Sequence, residues 1–246
     1  GACLGSFANV CIYRLPKNKQ IVSGRSFCPK CKKKINWYDN LPLISFIFLN
    51  RKCRNCNKVI SIRYFIVELV TGIAFLLIYL NFKNLNTIIF LSILVLILII
   101  IFFIDLENFI IPDTLNFSIM GLALFKNFLP NFNTSLIHEI NQSIIGGMVG
   151  YISIWLIIYL YKTFKKIDGM GLGDAKLMAG IGFLFGWQSI PFVLFVSSIL
   201  GLIFVIPSLI KKQKNMRTEI PFGPFIIAAC FIYFMYGGFL YDLILV

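Results

Sequence analysis

Residues 177–210 read LMAGIGFLFGWQSIPFVLFVSSILGLIFVIPSLI, 34 consecutive positions without a charged side chain. A membrane-spanning helix needs about 20 apolar residues, so this run is too long for one ordinary span. The Gly186-Trp187-Gln188 triplet is a helix-breaking signal in its middle, and the stretch predicts two helices, about 174–187 and 190–210. How it is read decides the fold. One helix here sends Lys211, Lys212, Lys214 and Arg217 to one face of the membrane, and two helices send them to the other.

Working outward, residues 84–104, 140–161 and 220–241 also lack any charge. They predict spans near 87–104, 141–161 and 221–244. Two further spans, 65–82 and 111–129, carry acids near one end, Glu68 and Asp113. Of the 246 residues, 59% are hydrophobic and only 13% charged, about half the charged share of a soluble domain. A disordered chain is excluded, and the composition argues against a soluble enzyme. Residues 1–13 are apolar and small but too short to span, and are expected to be a truncated first transmembrane helix. They are not a signal peptide, lacking a basic n-region. The fold class predicted is an all-α polytopic membrane protein of about eight transmembrane helices with a small cytoplasmic zinc-binding loop domain. No internal repeat or low-complexity linker is visible.

The charge settles the orientation. The formal net charge is +13. Residues 14–63 hold 13 Lys and Arg against one acid, Asp39, and so carry +12 of it. The rest is a near-neutral membrane body. By the positive-inside rule, loop 14–64 lies in the cytoplasm. Threading the chain with the 177–210 run split puts 21 of the 23 basic residues inside. Only Lys83 and Lys126 fall outside, with the C-terminus and a short loop containing His138. Nucleic acid is not an expected partner, because no stacking aromatics alternate with the basic residues.

Four of the seven cysteines lie in this loop, as Cys28-Pro29-Lys30-Cys31 and Cys53-Arg54-Asn55-Cys56. Two C-x2-C turns separated by 21 residues form a strong zinc signature: each turn aims two thiolates at one point, and two turns close a tetrahedron. A site of four cysteines has no open position, so the metal is expected to be structural. The alternative is two disulfides, disfavoured in a reducing compartment. Cys3, Cys11 and Cys230 read as small apolar packing residues.

Ionisable groups at or in spans are costly and are functional candidates by default. Asp105 ends the 87–104 span, and Asp174 follows Gly171-Leu172-Gly173 where the next-but-two span begins. The threading brings both to the cytoplasmic face. Two close carboxylates share one proton, and such a pair can activate water while polarising a carbonyl. Glycines before Asp174 let backbone or an extended substrate come near it. The residues alone also admit a plainer reading, two ordinary helix-end acids, and with it a zinc-stabilised scaffold or transporter.

Taken in order, the motifs resemble the bacterial type IV prepilin peptidases, bifunctional leader peptidase/N-methyltransferases of the GxGD membrane aspartyl protease class. The resemblance rests on Gly5 to Pro16 (GSFANVCIYRLP), on the cysteine pairs with Trp37 to Pro42 (WYDNLP), and on Arg63-Tyr64 with Val67-Glu68-Leu69. It continues through Asp105-Leu106-Glu107 with Ile111-Pro112-Asp113, Gly169 to Leu177 (GMGLGDAKL) and Pro221-Phe222-Gly223-Pro224.

The resemblance implies cleavage of the basic leader of type IV prepilins or pseudopilins after a glycine at the cytoplasmic membrane face. N-methylation of the new terminus would follow, with S-adenosylmethionine as methyl donor. It makes Asp105 and Asp174 the catalytic aspartates, with Gly171, Gly173, Asp113 and Lys176 in support, and residues 65–246 the peptidase core. Loop 14–64 becomes associated with methyl transfer, and Cys28, Cys31, Cys53 and Cys56 become the zinc ligands. No glycine-rich nucleotide fingerprint follows a strand, so the methyl-donor or substrate candidates are the acids of that half, Glu68 and Asp39. The substrate leaders are themselves basic, so the loop's charge serves topology and contact with the lipid bilayer. Nothing in the sequence sets an oligomeric state.

Overall fold

In a computed structural model of the chain, all residues are described except 22–25, 29, 129–139, 167–169, 211–219 and 246, and side chains are further omitted for 207–210 and 238–245. His138 and the basic group Lys211, Lys212, Lys214 and Arg217 lie outside the described residues. The described residues are helical and contain no strand. The helices are α1 (Ala2–Arg14), α2 (Ile44–Phe48), α3 (Ile62–Asn81), α4 (Leu85–Asn108), α5 (Asp113–Phe125), α6 (Ile140–Lys165), α7 (Leu172–Phe185), α8 (Ser189–Ile210) and α9 (Gly223–Leu245). Among the described residues, four stretches are long and apolar enough to cross a membrane: Ile62–Asn81, Leu85–Asn108, Ile140–Lys165 and Ser189–Ile206. Large apolar side chains on them, among them Leu76, Leu80, Phe195 and Ile203, are exposed, as expected where lipid is the solvent. This is a membrane protein built of helices.

The chain divides into two compact units, Gly1–Ile100 and Ile101–Val246, the boundary falling inside α4. In the first unit α1 packs on α3. Small residues let the backbones approach, as membrane helix pairs require: a Cβ on Gly5 would stand 2.8 Å from Glu68 Cα. Ser61 caps α3, its hydroxyl accepting the Arg63 N–H at 3.3 Å. Between α1 and α3 lies the polar insert, held by turns, a short 3-10 segment (Trp37–Asn40) and α2.

In the second unit α7 is the buried element. It packs against α5, α6, α8 and α9, and ten of its 14 residues are buried. Its contact with α6 is a glycine seam: a Cβ on Gly146 would lie 2.3 Å from Gly182 O, and one on Gly182 would lie 2.1 Å from Gly146 O. Neither position accepts any other residue with the backbones so placed. The uncharged run 177–210 turns between α7 and α8 at Gly186, which has φ 77° and donates its N–H to Gly182 O at 2.8 Å. A positive φ favours glycine.

One predicted element differs. The sequence predicts a single span over 111–129, but α5 covers 13 residues and gives way to a 3-10 turn at Lys126–Phe128. The cause is Lys126. It is 2% exposed, and its ammonium donates to the main-chain oxygens of Phe183 and Leu184. These are carbonyls of the last turn of α7, which lack intrahelical partners and carry the negative end of the helix dipole.

Candidate active site

Asp105 lies in the last turn of α4 and is 5% exposed; Asp174 lies in the first turn of α7 and is 8% exposed. The two carboxyls, 69 positions apart in sequence, are brought to one locality, with Ile111 against the glycine that seats each of them. Asp105 Oδ2 accepts the N–H of Gly223 at 3.0 Å. Gly223 opens α9, so Asp105 rests on the positive end of that helix. A Cβ on Gly223 would stand 2.8 Å from that oxygen and 3.1 Å from Ile111 Cδ1. Only glycine lets the amide come this close.

Ile111 also bounds the other acid. A Cβ on Gly173 would meet Ile111 Cβ at 3.1 Å, and Asn116, fully buried, donates to Gly173 O at 3.3 Å. The Gly173 backbone is thus seated on α5 and the loop before it, which orients the next residue, Asp174. Gly171 leaves the opposite side open: a Cβ there would meet nothing nearer than Asp174 Oδ2 at 3.8 Å. Asp174 Oδ1 is buried with no hydrogen-bond partner. A buried carboxylate oxygen without a donor is unusual in a finished core.

Asp113 and Lys176 form an ion pair at 2.6 Å, linking the first turns of α5 and α7. Asp113 has a 56% exposed side chain, so it acts on the acid pair only by fastening these two helix ends. Asn116 was not singled out by sequence reasoning, Lys126 stood out only as a basic residue on the wrong face, and Gly223 only as part of the Pro221–Pro224 motif. Asn116 carried a usable signal, an amide inside an apolar span. The motif around Gly223 did not point to Asp105, which is 118 residues away.

The polar insert brings its four cysteines together. The sulfur atoms of Cys28, Cys31, Cys53 and Cys56 all lie within 4.8 Å of one another, and Cys28 and Cys56 are 3.9 Å apart. A tetrahedral zinc with Zn–S bonds near 2.3 Å sets its sulfurs about 3.8 Å apart, so the donor set fits. A disulfide needs about 2.05 Å.

The two knuckles repeat one another. Cys28 donates to Lys33 O as Cys53 does to Lys58 O, and Lys32 donates to Cys28 O as Asn57 does to Cys53 O. Each turn closes with one bridge, Phe27 to Lys34 and Lys52 to Val59. Lys32 and Asn57 both have positive φ. The residues display only the repeated C-x2-C spacing, because main-chain bonds carry the rest of the likeness. Backbone N–H groups of Cys56 and Asn55 pull the Cys53 thiol down to about 7, whereas burial and the neighbouring thiols push Cys56 up to about 11.

The two remaining candidate acids part company. Asp39 is held by Arg54 through three hydrogen bonds of 2.7–3.0 Å, a bidentate pair that ties the Trp37–Asn40 turn to the second knuckle and raises the Arg54 guanidinium pKa. Glu68, on α3, is 8% exposed, and its Oε2 accepts the Leu43 N–H at 2.8 Å.

Comparisons with known proteins match both halves of the chain. Residues 1–82 match the family described as Bacterial Peptidase A24 N-terminal domain, and residues 92–206 match the Type IV leader peptidase family. A prepilin leader peptidase/N-methyltransferase of Vibrio cholerae is 38% identical, covering 94% of this chain and 92% of that protein. Proteins of the same name from Dichelobacter nodosus and Aeromonas salmonicida are 32% and 30% identical, covering 96% and 95% of this chain and 88% and 87% of theirs. No solved structure matches. With the N-terminal and peptidase regions matched in order and relatives aligned along nearly the whole length, the chain belongs to the type IV leader peptidase family.

Proposed function

We propose that this protein removes the basic leader of type IV prepilins or pseudopilins after a glycine and methylates the new N-terminal amine. The observation that carries the peptidase half is the meeting of Asp105 and Asp174, one fastened to a helix N-terminus and the other with a bare oxygen. In the reaction, the ionised member of the pair takes a proton from water as its oxygen bonds to the scissile carbonyl carbon. The protonated member gives its proton to the carbonyl oxygen. Collapse of the tetrahedral intermediate breaks the C–N bond: the proton taken from water passes to the leaving amine, and one hydroxyl of the intermediate returns its proton to the other carboxylate as the carbonyl re-forms, which restores the singly protonated pair. Gly223 and the seat of Gly173 on Ile111 and Asn116 hold the two carboxyls in place. Gly171 leaves room for an extended peptide.

The chain is read as about eight spans in the bacterial cytoplasmic membrane, with loop 14–64 and both aspartates on the cytoplasmic side. The concentration of +12 in residues 14–63 supports this orientation. So does the burial of Lys126, which removes one of only two exceptions to the rule. Cys28, Cys31, Cys53 and Cys56 hold a structural zinc, which fastens the loop and takes no part in bond breaking. S-adenosylmethionine supplies the methyl group when bound to the N-terminal region. The names of the relatives favour both activities over a peptidase alone and over a zinc-stabilised scaffold or transporter.

The test is incubation of the reconstituted protein with a candidate prepilin and labelled methyl donor. Asp105→Asn and Asp174→Asn should each abolish cleavage while the folded protein persists. Retained cleavage in either variant removes the aspartyl assignment. A mature pilin lacking the mass of one methyl group removes the methyl-transfer half.

A further inference from the structure

A cavity of about 440 Å³ lies within the N-terminal unit, inside the range of small-molecule sites, roughly 300–1,000 Å³. Its wall runs from α1 across the knuckles to the start of α3, and includes Asn9, Tyr13, Cys28, Asp39, Cys53 and Glu68.

Two features distinguish it from a gap in packing. Asn9 is 2% exposed, and its amide nitrogen donates to Tyr64 O at 3.1 Å, yet its Oδ1 has no partner. A buried acceptor left empty in a cavity wall calls for a donor from a ligand. The second feature is the charge pattern. The wall holds two acids. Both oxygens of Asp39 are taken by the Arg54 guanidinium, which leaves Glu68 as the wall carboxylate with no cation paired to it among the described residues. Basic side chains, Lys30 and Lys58 among them, line the knuckle side. The complementary ligand carries a positive centre, an N–H donor and a carboxylate, and is of nucleoside size.

We propose that this cavity binds the methyl donor, a sulfonium nucleoside, with the Glu68 carboxylate facing its positive sulfur and the Asn9 side-chain oxygen accepting one of its N–H groups. This rests on the methyl-transfer reading above and adds the place and the discriminating charge. A carboxylate so placed favours the cationic donor over its spent form, a neutral thioether, and so promotes exchange of product for fresh donor.

Glu68 also holds Leu43, whose φ of 62° is strained for a leucine, and the variant must keep that contact. Glu68→Gln does so, since its amide oxygen still accepts the Leu43 N–H while the charge is gone. The experiment measures binding of S-adenosylmethionine and S-adenosylhomocysteine to the whole protein in detergent, by calorimetry and by the rise in unfolding temperature each ligand produces. In Glu68→Gln the affinity for the sulfonium should fall about tenfold or more, while that for the thioether changes less than twofold. A preserved thioether-induced rise in unfolding temperature shows that the variant is folded with its site intact. Asn9→Ala should weaken both ligands. If Glu68→Gln weakens both equally, or neither, the cavity assignment is overturned while methyl transfer stands. If the wild-type protein binds neither nucleoside, the methyl-transfer reading itself fails.

Discussion

The main-chain N–H of Gly223 donates to Asp105 Oδ2 at 3.0 Å across 118 residues of sequence. It links the last turn of α4 to the first turn of α9, and it fixes one acid of the pair without occupying a side chain. The space a Cβ would need at Gly223 is already filled by that carboxylate and by Ile111.

Gly223→Ala should therefore injure chemistry more than folding. The added methyl pushes the Asp105 carboxyl from its seat, and displacement of a catalytic group by about 1 Å costs on the order of 100-fold in rate. Prepilin cleavage kinetics should show the loss in kcat, with KM little changed and the unfolding temperature within a few degrees of wild type. A variant with full kcat would show that the Gly223 contact does not position Asp105.

Lys126→Met should act in the opposite manner. Removing the ammonium leaves the Phe183 and Leu184 oxygens buried at the foot of α7, and each unsatisfied group costs about 1–3 kcal/mol. The unfolding temperature should drop by several degrees, and the molecules that remain folded should cleave at near-normal rate. An unchanged melting curve would show that Lys126 is not what closes the end of α7.

The Asp113–Lys176 pair is short but largely in solvent, and pairs of that kind contribute about 0–1 kcal/mol. A double-mutant cycle with Asp113→Asn and Lys176→Gln should give a coupling within that range. Cleavage by Lys176→Gln should stay within about fivefold of wild type, a barrier change of about 1 kcal/mol. A loss of several hundredfold would assign one of the two a direct role in the reaction.

Purified protein should contain one zinc per chain, measured by elemental analysis. Chelation should lower the unfolding temperature before it lowers the rate of cleavage. Cys28→Ser and Cys53→Ser, the two buried positions, should lose the metal and reduce protein yield. Metal-free protein of equal stability would refute a structural zinc.

Much of this protein is written locally. Uncharged runs of bilayer length, the +12 insert, the C-x2-C spacing and the acids at helix ends each depend on neighbours a few residues away. A sequence displays such features because hydropathy and turn geometry are short-range properties. The Gly-Trp-Gln triplet at 186–188 lies where α7 turns into α8, and the positive φ of Gly186 explains why that residue type stands there. What the residues could not display is which polar group each buried group meets. Lys126 was legible only as a stray positive charge, because the carbonyls it binds lie 57 and 58 positions away.

By itself, then, the sequence determined a helical membrane protein, the concentration of its positive charge in one loop, and the residue types that meet in the acid pair and the cysteine cluster. Tertiary structure decided the rest: that Asp105 rests on Gly223, that Asp174 keeps a bare oxygen, that Asp39 is spent on Arg54 while Glu68 lines a cavity. The physical reason is that hydropathy acts over a segment, whereas a buried hydrogen bond requires two groups within about 3 Å, and only the folded chain brings them there.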